Sequence, residues 1–101
     1  MNIQVLEEVR QKIEQTTDYF YKQKNQEGYR VLIDVIDDLI LLTAELKELE
    51  HSETIQTLQG ALAQSLQEIT EAMLQKDTIL IADMMKYDII DLLDKMENLD
   101  D

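Results

Sequence analysis

The chain has 101 residues and carries 9 Lys and Arg against 22 Asp and Glu, for a formal net charge of −13. This length suits one small domain, and we predict that residues 1–101 form a single helical bundle. Cysteine is absent, which excludes disulfides, thiolate zinc sites and thiol nucleophiles. Strong negative charge disfavours contact with nucleic-acid phosphates and anionic lipids. We therefore expect a cytoplasmic protein with no membrane segment and no nucleic-acid partner.

Apolar residues recur every three or four positions in the first quarter of the chain, the spacing of an amphipathic helix. The core-facing positions of this first helix are Leu6, Val9, Ile13, Thr16 and Phe20. The pattern breaks at residues 25–28, where Gly28 is the natural helix stop. We predict a second helix from Tyr29 to about Glu50.

The second helix is apolar over more than half its circumference. We assign its main core stripe to Tyr29, Leu32, Ile33, Ile36, Leu39, Ile40, Thr43 and Leu46. An adjoining face holds Val31, Val35, Leu42 and Leu49. A helix this apolar is expected either to be buried on two sides or to bury one face in the core and offer the other to a partner.

The second half repeats the arrangement. Ser52 or Thr54 can cap a third helix, whose apolar positions are Ile55, Leu58, Leu62, Leu66, Ile69 and Met73. We interpret Gly60, inside this helix, as a point of close helix approach. Asp77 is a plausible N-cap for a fourth helix that buries Leu80, Ile81, Met84, Met85, Ile89, Leu92, Leu93, Met96 and Leu99.

These segments predict an all-α fold, an antiparallel up-down-up-down four-helix bundle built from two αα-hairpins, 1–50 and 51–101. A shift of 49 residues superimposes the apolar positions of the two hairpins and aligns the break at Gly28 with Asp77. Two long hairpins from two chains would bury the same stripes. The periodicity therefore leaves a homodimer open as an alternative.

Catalytic and metal-binding patterns are weak. Glu48 and His51 have the Glu-x-x-His spacing of di-metal bundles, but such a site needs two of these motifs and the chain has one histidine. We assign His51 to a surface or capping role. Asp34, Asp37 and Asp38 share one side of a helix and lack the glycine bend of a calcium loop. With no nucleophile motif or nucleotide fingerprint, we expect no enzyme activity, no metal and no cofactor.

Several aromatic, methionine and acidic residues are candidates for recognition. Tyr19, Phe20 and Tyr21 end the first helix and Tyr29 begins the second, so we expect them to meet at one end of the bundle. Asp88 falls close to the core side of the fourth helix. The candidate partner-binding residues are Val31, Val35, Leu42, Tyr19, Tyr21, Met84, Tyr87 and Asp88.

The segment from Ala72 to Ile90 resembles short, uncharacterised helical proteins of Firmicutes. In those proteins a Lys/Asp turn is followed by Leu-Ala-Asp-Leu-Leu-Glu-Tyr-Glu-Leu at the start of the next helix. This pattern is matched or conservatively replaced by Ala82, Asp83, Tyr87 and Asp88, with Met84 and Met85 in place of leucines. Residues 27–42 resemble the same proteins more loosely. The resemblance covers about half the chain, implies a bacterial cytoplasmic source and a structural or recognition motif, and implies no activity.

Together these features favour a non-enzymatic interaction module that binds another protein, or itself, by helix packing. An export or flagellar-type chaperone that binds an amphipathic segment of a secreted substrate is the alternative, by analogy of size, charge and architecture. Residues 27–50 hold seven acidic and two basic residues, and residues 77–101 hold eight and two. This charge serves either as a solvated face or as a steering surface for a basic partner.

Overall fold

The computed structural model describes residues 2–49 and 52–100, and almost all of these are helical, with no strand among them. The helices are α1 Ile3–Tyr21, α2 Asn25–Glu48, α3 Glu53–Leu74, α4 Thr78–Asp83 and α5 Ile90–Glu97. A π-helical stretch, Met84–Ile89, joins α4 to α5 and is called the π segment below. These three stretches form one continuous fourth helix, which ends in a 3₁₀ turn at Asn98–Asp100.

The helices close into a ring. α1 packs against α2 and against the fourth helix, and α3 packs against the same two neighbours. Short connections make consecutive helices antiparallel. The bundle measures 41 × 25 × 19 Å. This confirms the predicted all-α four-helix bundle, with all four helices supplied by one chain.

The core follows the predicted stripes in α1 and is rotated in α2. The buried residues of α2 are Gly28, Leu32, Val35, Leu39, Leu42 and Leu46, in alternating steps of four and three. Ile33 and Ile40, assigned from sequence to the core, are 55% and 54% exposed. Neighbouring residues of an α-helix point about 100° apart, so a core direction through Leu32 and Leu39 turns the two isoleucines outward.

Smaller corrections apply elsewhere in the core. In the fourth helix Leu80, predicted to be buried, is 42% exposed. The small side chains of Ala72 and Ala82 are buried instead. The N-caps are as predicted: Ser52 Oγ accepts from Ile55 N at 3.1 Å, and Asp77 Oδ1 accepts from Leu80 N at 3.1 Å.

The predicted helix break at residues 25–28 is wrong, because the chain reverses three residues earlier. Gln23 has a φ of 61°, and Lys24 N donates to Tyr19 O at 2.8 Å across the turn. The turn between α3 and α4 is built in the same way. Lys76 has a φ of 57°, and Asp77 N donates to Ala72 O at 3.0 Å. Both are Schellman-type helix ends in which the left-handed residue is not glycine.

Gly28 lies in the first turn of α2 and allows a close approach between helices. A Cβ at this position would lie 2.6 Å from both Cδ1 and Cε1 of Phe20. The Phe20 ring is fully buried and meets the Tyr29 ring edge-on, with centroids 5.2 Å apart. Gly60, for which close approach was predicted, has no neighbour within 4 Å of such a Cβ. The close approach is therefore at Gly28, not at Gly60.

The two glycines give a matched pair of substitutions with opposite expected signs. Gly60→Ala removes a flexible residue from an exposed helix interior and should raise stability by about 1 kcal/mol, or about 4–8 °C in Tm. Gly28→Ala has the same helix-propensity benefit, but it forces the buried Phe20 ring to move, at a cost of about 1–3 kcal/mol. Its Tm should fall below that of the wild type. Thermal unfolding followed by circular dichroism measures both.

A smaller residue at position 20 tests whether contact with the Phe20 ring is the reason that Gly28→Ala lowers Tm. In a Phe20→Leu background the space beside Gly28 opens, so adding Gly28→Ala should no longer lower Tm. An equal loss in both backgrounds would show that Gly28 is needed for a reason other than the Phe20 contact.

Candidate functional site

The π segment is the main irregularity of the fourth helix. Ile90 N donates to Met85 O, five residues back, where an α-helix would use the fourth. The core-facing residues here are spaced by four: Ile81, Met85, Ile89 and Leu93. In a straight α-helix such a series would rotate about 40° per step, away from the core. The wider π turn absorbs this rotation, and π insertions within helices are frequent at functional sites.

The π turn also determines which residues of the π segment are exposed. Lys86, Tyr87 and Asp88 are exposed, and Tyr87 is 63% exposed. Asp88 was predicted close to the core side, and this is wrong because the π turn places it outward. Met84, a predicted partner contact, is 8% exposed and packs in the core.

A tyrosine cluster forms where the end of α1 meets this segment, made of Tyr21, Asp83, Lys86 and Tyr87. The Tyr21 hydroxyl donates to Asp83 Oδ1 at 2.5 Å. Lys86 Nζ lies 5.7 Å from the centre of the Tyr21 ring and 5.5 Å from that of Tyr87. These are cation–π distances, so one ammonium group joins the two rings. The structure thus brings together two of the predicted candidates, Tyr21 and Tyr87.

The environment of Tyr21 makes it a hydrogen-bond donor. Its hydrogen bond to Asp83, its partial burial and the negative charge of Asp83 raise the pKa of Tyr21 to about 12. A raised pKa keeps the phenol protonated at neutral pH. Tyr21 is therefore poorly suited to act as a general base or a phenolate nucleophile.

Beside the cluster, α1 and the fourth helix enclose a cleft of about 530 Å³ that reaches from Tyr21 to Arg10. The Arg10 guanidinium contacts three carboxylates, Glu7 at 2.9 Å, Asp94 at 2.8 Å and Glu97 at 2.7 Å. Burial opposes its charge, but these hydrogen bonds outweigh that effect and raise the pKa of Arg10. Arg10 thus ties α1 to α5 through hydrogen bonds to three carboxylates.

The candidates on α2 do not join the cluster. Val35 is 0% and Leu42 is 2% exposed. The prediction that they form a partner-facing surface is therefore wrong, because they belong to the stripe that contains Leu32 and Leu39. Val31 is half-buried and packs against the core. Tyr19, on α1, is also half-buried.

The exposed apolar surface of α2 borders a groove that was missed from sequence. This α2–α3 groove has a volume of about 310 Å³ and is lined by Ile40, Thr43, Ala44, Lys47, Ala63 and Leu66. Ile33 lies two helical turns before Ile40 on the same side of α2. The sequence does show that α2 is apolar over more than half of its circumference. The prediction assigned its core-facing side and its exposed side the wrong way round.

Among residues 2–49 and 52–100, no group of three or more His, Asp and Glu side chains could hold a metal ion. Of the three aspartates on α2, Asp38 pairs with Lys12 at 2.8 Å, and this hydrogen bond raises the pKa of Lys12. His51 lies outside the described residues. Within the described chain, no helix is long and apolar enough to cross a membrane.

The hydrogen bond between Tyr21 and Asp83 predicts an unusual tyrosine titration. In wild type, one of the four tyrosines should ionise near pH 12, well above the ordinary value of 10. Asp83→Asn removes the charge and should lower this pKa towards 10, as measured by near-ultraviolet absorbance against pH. Because the folded pKa is raised, the associated stability is complete below pH 10 and is lost as pH rises through 12.

Two control variants test whether the titration near pH 12 belongs to Tyr21. Tyr21→Phe should remove the late titration, and Asp88→Asn, which changes an exposed carboxylate of the same helix, should leave it unchanged. A late titration that survives Tyr21→Phe would contradict the assignment.

Comparison with known proteins gives one match. No curated protein and no solved structure matches the chain significantly. A family described as a domain of unknown function (DUF8042) matches residues 2–99, which is nearly the whole sequence. The match agrees with the resemblance to uncharacterised helical proteins. This chain belongs to the DUF8042 family.

Proposed function

We propose that this chain is a non-enzymatic interaction module that binds another protein, or a second copy of itself, by helix packing along the α2–α3 groove. The observation that carries this proposal is the exposure of more than half of Ile33 and Ile40 on the side of α2 that borders the groove.

Exposed apolar residues scattered singly are normal on soluble proteins. Ile33 and Ile40 differ because they are aligned, seven residues apart, on one side of α2. Ile40 lines the groove together with Ala44, Ala63 and Leu66. Small alanines let the backbone of an incoming helix approach closely. Aligned anchors beside a shallow apolar groove are the features of helix-in-groove recognition.

The polar groups support a role without catalysis. Tyr21 stays protonated at neutral pH, and Arg10 binds three carboxylates. Lys86 lies between two tyrosine rings. These groups are engaged within the bundle, whereas the α2–α3 groove offers apolar surface.

An export or flagellar-type chaperone in a bacterial cytoplasm is the more specific alternative within this proposal. It is favoured by the combination of a small acidic bundle with an apolar groove. An amphipathic segment of an exported substrate would then be the occupant, and it would bind with its apolar face against Ile40 and Leu66.

Substitutions at four residues of α2 test the proposal. Ile40→Gln, combined with Ile33→Gln, should leave the melting curve near that of wild type and weaken association through the groove by about tenfold or more, since each buried isoleucine contributes about 1.5–3 kcal/mol. Leu41→Gln removes a leucine that is 64% exposed and does not line the groove, and it should have no effect on association. Leu39→Gln alters a fully buried residue and should unfold the protein.

The measurement is crosslinking and affinity capture from cells of the source organism at low salt, with melting curves of each purified variant. Equal loss of association in Leu41→Gln and Ile40→Gln would show that general surface hydrophobicity, and not the groove, is responsible. Association that survives the double isoleucine variant would overturn the assignment of the groove.

A further inference from the structure

We infer that the occupant of the α2–α3 groove is a second copy of this chain, packed with the two α2 helices antiparallel about a two-fold axis at the level of residue 42. This inference rests on the proposed function, in which the groove is an interface, and it adds the identity and register of the partner.

The first argument is the distribution of charge. The chain carries a net charge of −13, yet a single charged side chain, Lys47, is among the described residues that line the groove. None of the three carboxylates of α3 lines it. Two copies of a strongly acidic chain repel each other. Self-association therefore meets least repulsion where the groove linings themselves touch, because the carboxylates of α2 lie outside this lining. A basic partner would find more attraction elsewhere on the bundle.

The second argument is self-complementarity. A two-fold interface presents the same surface on both copies, so that residue pairs are exchanged symmetrically. About a centre at residue 42, Ile40 of one copy faces Ala44 of the other, which sets a large side chain against a small one. The same symmetry sets Asp37 of one copy against Lys47 of the other. Each of these pairs occurs twice.

Asp37 and Lys47 are available for this pairing. Both are exposed, and neither makes an ion pair with another described residue. Asp37 precedes Ile40 by three residues, which places it on the same side of α2. Ten residues of helix separate the two charges by about 15 Å, too far for them to pair within one chain.

The contact in this register is short. Overlap of the two α2 helices from residue 36 to residue 48 gives a contact about 18 Å long, less than half of the 41 Å length of the bundle. This is below the about 800 Å² per partner of a standard protein interface, so the dimer should be weak and should dissociate on dilution.

The test is a charge exchange, measured by sedimentation velocity of the purified full-length chain over a concentration series. Wild type should show a concentration-dependent dimer. Asp37→Lys and Lys47→Asp should each weaken dimerisation by about tenfold or more, because each sets like charges together twice. The double variant Asp37→Lys/Lys47→Asp keeps the net charge of −13 and should restore dimerisation.

Glu45→Lys is the matched control, since it changes the net charge as Asp37→Lys does but lies on α2 away from the groove. Lower net charge reduces repulsion, so Glu45→Lys should leave the dimer unchanged or strengthen it. Asp37→Lys should weaken the dimer despite the same change in net charge. Circular dichroism of every variant confirms that helicity is kept.

Two outcomes overturn the inference. Wild type that stays monomeric throughout the series excludes a second copy as the occupant, and singles that weaken the dimer without rescue by the double exchange exclude this register. If a monomeric wild type still captures another protein, and the isoleucine-to-glutamine variant loses it, the proposed function stands and only the identity of the occupant falls.

Discussion

The contact between the Phe20 ring and the backbone of α2 at Gly28 fixes how α2 is rotated about its own axis. Because only a residue without a Cβ fits against this ring, position 28 must face the core. The steps of four and three that follow then bring Leu32, Val35 and Leu39 inward. The same rotation turns Ile33 and Ile40 outward and places Ile40 in the groove beside α3. The surface to which we assign partner binding is thus a consequence of packing at the opposite end of α2.

The fourth helix meets a different constraint, because its core residues are spaced by four and an ordinary helix would turn them out of the bundle. The π segment keeps Met85 and Ile89 buried and places Lys86 and Tyr87 on the surface. Asp83, at the end of α4, hydrogen-bonds the Tyr21 hydroxyl before the π segment begins. One local change of helical pitch therefore accounts for the core of the fourth helix and for the exposure of Lys86 and Tyr87.

Much of this was readable from the sequence, because helical periodicity and capping are local signals. The stripe of α1 and the caps Ser52 and Asp77 needed no tertiary information. The rotation of α2 did, since isoleucine and leucine occupy both of its faces and hydrophobicity alone ranks them equally. The turns at Gln23 and Lys76 carry no glycine to mark them. Two residues of the tyrosine cluster, Tyr21 and Tyr87, were identified from the sequence. Their shared contact with Lys86 was not, because it depends on the packing of α1 against the fourth helix.

The cleft with its tyrosine cluster and the α2–α3 groove differ in whether their side chains already have interaction partners within the bundle. In the cleft and tyrosine cluster, Arg10 has three carboxylate partners, Tyr21 has Asp83, and Lys86 lies between two rings, so these charged and polar groups already interact within the bundle. A ligand there would have to compete with existing contacts. The α2–α3 groove has exposed isoleucines and few carboxylates, so a partner removes apolar surface from water with little electrostatic opposition. For this reason the balance of interactions favours the groove as the interface and the tyrosine cluster as a link between α1 and the fourth helix.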